Sequence, residues 1–120
     1  MQLFHIAVES DWRAALAAGT YDRSTRGASL SEVGFIHCSL REQVARVGEF
    51  IYGDVAAGDL LVLELDGDLA LAAGAEVRFE DGGSGELFPH LYGAIDPAWV
   101  VAEHAATAGG GAFTWGRTER

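Results

Sequence analysis

The chain predicts an α+β fold: a small, curved, mostly antiparallel β-sheet carrying two main helices. Three observations lead there. Short apolar, β-favouring runs recur along the sequence and are closed by Gly, Asp or Ser. Two other stretches carry a helical stripe in place of the strand alternation. Finally, 120 residues with 49% hydrophobic and 22% charged content suffice for one domain that buries a core without disulfides or a structural metal. The globular part is expected over 1–107, with 108–120 a flexible C-terminal tail.

Residues 2–8 (Gln-Leu-Phe-His-Ile-Ala-Val) read as a first, interior strand, with His5 on the face of Leu3 and Ala7. Ser10 has the character of an N-cap and Asp11 suits the positive end of a helix whose stripe is Trp12, Ala15 and Leu16, stopped at Gly19. Residues 20–26 form a polar loop; Arg23 and Arg26 there either hold an anion or face solvent. Ser29-Leu30-Ser31-Glu32 has capping-box spacing and predicts one helical turn. Ser39-Leu40-Arg41-Glu42 repeats that spacing and predicts a second helix over 40–52, capped by Ser39, with Val44, Val47, Phe50 and Ile51 as its stripe and free backbone amides at its start. Residues 60–65 are the clearest strand, with Glu64 expected to face solvent, and Asp66-Gly67 closes it. Residues 75–80 follow as a strand with Val77 and Phe79 inward. The loop 81–85 reads as a flap, and 99–106 as the last strand.

Charge narrows the function classes. The formal net charge is −10, and all eight basic residues are arginine. Without lysine there is no Schiff-base chemistry and no lysine-dependent phosphate loop, and an acidic surface disfavours a nucleic-acid partner. Cys38 has no disulfide partner, no signal segment is evident, and no apolar run reaches the ~20 residues a bilayer span needs, so a cytoplasmic protein without membrane insertion is expected.

The chemistry concentrates in two short segments. In Gly34-Phe35-Ile36-His37-Cys38-Ser39 the strand period places Phe35, His37 and Ser39 on one face and Ile36 and Cys38 on the other. In Phe88-Pro89-His90-Leu91-Tyr92-Gly93 it places Phe88, His90 and Tyr92 together. Two segments that each offer an imidazole beside aromatic rings could build one cleft for a flat, polar ligand. His5, His37 and His90 could instead bind a metal, yet the close His or Cys pairs that mark zinc sites are absent, and no metal is expected. His104 reads as peripheral. Cys38 and His37 face opposite ways on a strand, so the thiol is not activated and reads as core. Hydrogen-bonding imidazoles, a stacking ring from Tyr92 and a carboxylate from Glu80 suit a nucleotide-like ligand.

These segments, with Ser24-Thr25-Arg26-Gly27, Gln43 and Glu80, make the chain resemble the bacterial family known as domain of unknown function 952 over roughly residues 2–103. That family in turn resembles the ADP-ribosyltransferase fold, in particular the RNA 2′-phosphotransferases. The resemblance implies a split sheet with NAD in its cleft, His5 and Ser39 near the adenosine-side ribose, Arg26 among the binding residues and Tyr92 stacking. It implies Glu80 stabilising a ribosyl cation, and His37 or His90 polarising a ribose hydroxyl. The arginines that read RNA phosphate in the phosphotransferases have no equivalent here, so the fold carries over without that substrate. The competing expectation is a non-catalytic ligand-binding or interaction domain.

Overall fold

The computed structural model describes residues 1–54 and 59–116. Strand β1 (Gln2–Val8) runs into helix α1 (Glu9–Ala18), and a short hairpin, β2 (Arg23–Thr25) and β3 (Ala28–Ser29), leads to the one-turn helix α2 (Leu30–Val33). After β4 (Ile36–His37) come a 3₁₀ turn, Arg41–Gln43, and helix α3 (Val44–Tyr52). The rest is β5 (Leu60–Asp66), α4 (Gly67–Ala72), β6 (Glu76–Asp81), β7 (Leu87–Tyr92), a 3₁₀ turn at Pro97–Trp99, β8 (Val100–Gly109) and β9 (Ala112–Trp115). One sheet has the order β1-β5-β8-β9 and another β4-β7-β6, and every strand pairing among the described residues is antiparallel. A single rung joins them: Phe4 N–H donates to Ser39 O at 2.9 Å and Ser39 N–H to Phe4 O at 2.7 Å. The result is a curled antiparallel half-barrel with few helices.

Both faces of this curled sheet are covered, because β1 and β5 are apolar on both sides. Leu3, Ala7, Leu61, Leu63 and Leu65 pack with Trp12 and Ala15 of α1 and with Ile36, Cys38 and Leu91. Phe4, Ile6, Val62 and Phe88 pack on the other side with Val44, Val47 and Tyr52 of α3. Cys38 is fully buried, which pushes its thiol up to about 12 and leaves it an inert core group.

Several sequence-based expectations change. Helix α1 begins at Glu9 without a side-chain cap, so Ser10 lies inside it, and Leu16 is exposed. Ser39 caps no helix: its N–H and C=O are spent on Phe4, and it is Gln43 that closes the turn, its Oε1 accepting Leu40 N–H at 2.9 Å. By contrast, Ser29 does cap α2, with Glu32 returning the bond to Ser29 N–H. Phe50 points to solvent rather than joining the α3 stripe, and Phe79 is exposed as well. Residues 20–26 are not wholly loop, since β2 lies among them. Strand β1 ends the four-stranded sheet, extended only by the Ser39 rung. The 81–85 loop is held by Asp81 Oδ1, which accepts Gly83 N–H and Gly85 N–H. Helix α4 starts from a local signal, an Asp66 N-cap that accepts from Asp68 N–H and Leu69 N–H ahead of a Leu/Ala run. Most consequential, the segment expected as a tail holds β9. It pairs with β8, buries Phe113 and sets Trp115 against Phe4. Residues 117–120 of that expected tail lie outside the described residues.

Candidate functional site

Antiparallel register brings the two histidine segments together. His37 on β4 lies directly opposite His90 on β7, with ring centroids 5.5 Å apart. Directly opposed residues share a face, so the same register adds Arg78 beside His90, Glu80 beside Phe88 and Glu76 beside Tyr92. Gly34, at φ +99°, supplies the left-handed turn that ends α2 and starts the approach to β4. Phe35, just beyond it, stacks on His90 at 3.9 Å and contacts Tyr92 at 5.5 Å. Ser24 O–H donates to Phe35 O at 2.5 Å and ties this start to β2.

His90 and Tyr92 converge on one carboxylate oxygen. Tyr92 O–H donates to Glu80 Oε1 at 2.5 Å, and His90 Nδ1–H to the same oxygen at 2.8 Å. The Tyr92 and His90 hydrogen bonds hold the Glu80 carboxyl below its usual range, while Glu80 raises the Tyr92 phenol. Glu80 is therefore the acceptor for both. With Nδ1 committed as donor to Glu80, Nε2 is the ring atom left to meet a partner from outside the protein. That atom is buried and has no hydrogen-bond partner among the described residues. Such an orphan costs about 1–3 kcal/mol.

The other imidazoles differ in kind. His5 lies in the split between the sheets: its Nδ1–H donates to His37 O at 2.7 Å, and Tyr21 O–H donates to its Nε2 at 2.8 Å. Both nitrogens are used, the ring is 2% exposed, and burial pushes its pKa to about 4. The ribose contact expected of His5 has no nitrogen left to make it. The His37 ring makes no hydrogen bond among the described residues; burial, then the charge of His90, pushes its pKa to about 4, so it is neutral at pH 7.

The remaining expected binding residues are only partly gathered. Ser39 lines a small cavity with His5, Ser24, Thr25, His37, Val47 and Tyr52. Its volume is about 10 Å³, room for roughly one water, whereas pockets for small ligands run to several hundred Å³. Arg26 donates to Ile51 O at 2.7 Å and to Asp54 Oδ1 at 2.8 Å, so it closes the end of α3 instead of reaching His37 or His90. Tyr92 carries the Arg78 guanidinium 4.4 Å over its ring, which covers one of the two faces on which a base could stack. Gln43 is structural: its Nε2–H donates to Glu86 Oε2 and to Leu87 O, both at 2.9 Å. Among the described residues no group of three or more His, Cys, Asp or Glu side chains could hold a metal, and no helix is long and apolar enough to cross a membrane.

Two residues read as peripheral from sequence prove buried. Glu64 accepts from Gln2 Nε2–H at 2.6 Å and lies 2.9 Å from His104 Nε2, in a hydrogen bond between β5 and β8. No local signal announces the pair, since it depends on the register that sets Val62 against His104.

Fold and site thus define an α+β half-barrel domain with a histidine pair on one sheet face. The chain belongs to the DUF952 family: residues 6–103 match the family described as "Protein of unknown function (DUF952)". Among solved structures, the X-ray crystal structure of protein CC0527 from Caulobacter crescentus is similar, with a TM-score of 0.74 and 25% sequence identity over 95% of this chain and 94% of that one. A double mutant of the same protein matches equally well. No curated protein matches the chain.

Proposed function

We propose that this domain binds a small nucleotide ligand, NAD or a related molecule, against the paired imidazoles of His37 and His90. The observation that carries the reading is the buried His90 Nε2, unpartnered among the described residues, which a ligand hydroxyl would satisfy as donor or as acceptor. The His37 ring, unbonded among the described residues and beside the stacked rings of Phe35 and His90, supports a flat, polar ligand. A nucleotide needs α3 and the β2–β3 hairpin to part, because the cavity beside His37 holds little more than a water. If NAD is cleaved there, the ionised Glu80 is the group to stabilise the ribosyl cation as the nicotinamide bond breaks, and a neutral imidazole takes the proton of the attacking hydroxyl.

A second reading is a binding domain without chemistry. It is favoured by Glu80 Oε1, which already accepts from both Tyr92 and His90. Calorimetric titration with NAD, followed by assay of released nicotinamide, tests both. Binding with release, both abolished in His90→Ala, supports the catalytic reading, and binding without release supports the second. If NAD and ADP-ribose give no heat and no shift in melting temperature, the nucleotide reading falls.

A further inference from the structure

A second cavity lies away from the histidine pair. It encloses about 540 Å³ and is lined by Arg41, Glu64, His104, Trp115 and Gly116. That volume is within the range of small-molecule sites. Its lining comes from the 3₁₀ turn before α3 and from β5, β8 and the stretch ending β9, so it exists only because the C-terminal segment folds as a strand.

Arg41 differs from most other arginines of the chain. Arg13, Arg26, Arg46 and Arg78 all make hydrogen bonds to carboxylates at 3.2 Å or less. Among the described residues the nearest carboxylate to Arg41 is Glu64, at 4.0 Å, and the Arg41 side chain is 56% exposed. Its guanidinium lies over the rings of Phe4 at 4.8 Å and Trp115 at 5.7 Å, and among the described residues its N–H groups make no hydrogen bond. Glu64, 12% exposed, is fixed by Gln2 and His104. The cavity therefore presents a planar donor group next to an anchored acceptor, with an aromatic wall.

We propose that this cavity is a second ligand site, for a neutral planar heterocycle that carries a hydrogen-bond acceptor and a donor side by side, as the edge of guanine does. Arg41 donates to the ring acceptor and Glu64 accepts from the adjacent N–H. Charge decides against the alternatives. Arg41 and Glu64 balance each other, so a charged ligand would leave a surplus in a half-buried site. The net charge of −10 further opposes a phosphate or a polynucleotide.

Guanosine titrated into the ¹⁵N-labelled full chain tests this by two-dimensional NMR. Saturable shifts are expected at the Trp115 indole N–H and the Gly116 amide, with the His37 and His90 amides unmoved. Arg41→Met, which keeps a long unbranched side chain beside the rings, is expected to weaken binding about tenfold or more while leaving the melting temperature close to that of the wild type. Three outcomes overturn the proposal: no shift with guanosine, equal affinity in Arg41→Met, or saturation by inorganic phosphate or acetate in place of guanosine. Because the reporters here are Trp115 and Gly116, failure at this site is distinguishable from failure of nucleotide binding at His37 and His90.

Discussion

His5 and His37 meet through one carbonyl, yet their rings have opposite parts. The His5 ring is a fully bonded core group, so His5→Ala is expected to cost on the order of 2–4 kcal/mol in a urea titration, from the cavity and the partners left at His37 O and Tyr21. His37→Ala removes a ring that bonds nothing in the protein, and its cost should be clearly the smaller of the two. Both pKa values fall from 6.5 to about 4. The unfolded chain takes up these protons below pH 6.5 and the folded chain only near pH 4, so between those values the unfolded state binds more protons. Stability is therefore full above pH 6.5 and declines as pH falls towards 4, by about 2 kcal/mol at pH 5 for His5 alone. Glu80, whose carboxyl is also depressed, acts in the same direction. Urea midpoints that coincide at pH 7 and pH 5 would contradict the buried neutral His5. A His5→Gln variant should show a shallower pH dependence than the wild type.

At the scale of elements, the contact between α3 and β9 gives the sharpest expectation. A Cβ at Gly48 would lie 2.3 Å from the Phe113 ring. Were 108–120 a loose tail, Gly48→Ala would stabilise α3 by up to ~1 kcal/mol through helix propensity. With Phe113 packed there, a loss of about 1–3 kcal/mol is expected, and differential scanning calorimetry reads the sign. Strand β9 was hard to see because Gly109, Gly110 and Gly111 resemble a linker. All three have positive φ and make the hairpin turn, and the alternation Ala-Phe-Thr-Trp after them was the available sign. Ser29 and Ser39 share one spacing and differ in outcome, since capping is local and Ser29 is free to do it, whereas Ser39 is claimed by a strand 35 residues earlier in sequence. The common face of Phe35 and His37, and of His90 and Tyr92, followed from the strand period. Their juxtaposition, and that of Glu64 with His104, followed only from register, which a sequence does not display.

For the whole molecule, β9 is the outer strand of the four-stranded sheet, and Phe113 and Trp115 belong to the core beneath α3. A chain ending at Gly109 is expected to melt well below the full protein and to associate through the exposed edge of β8. A melting curve and elution volume unchanged by the deletion would refute that role. The rung between Phe4 and Ser39 has a further consequence. Other neighbouring strands of the half-barrel are joined by ladders, but β1 and the β4 segment share two backbone bonds, and beside them the His5 side chain stands where a ladder would continue. Lateral breathing should concentrate along this line, as a change in the angle between two otherwise stiff sheets, with the cavity beside His37 at its mouth. Amide hydrogen exchange would register it. The Phe4 and Ser39 protons should exchange by a low-energy opening, well ahead of those of Val62 and Leu63 on central β5, and any molecule that enters beside His37 should slow that pair first.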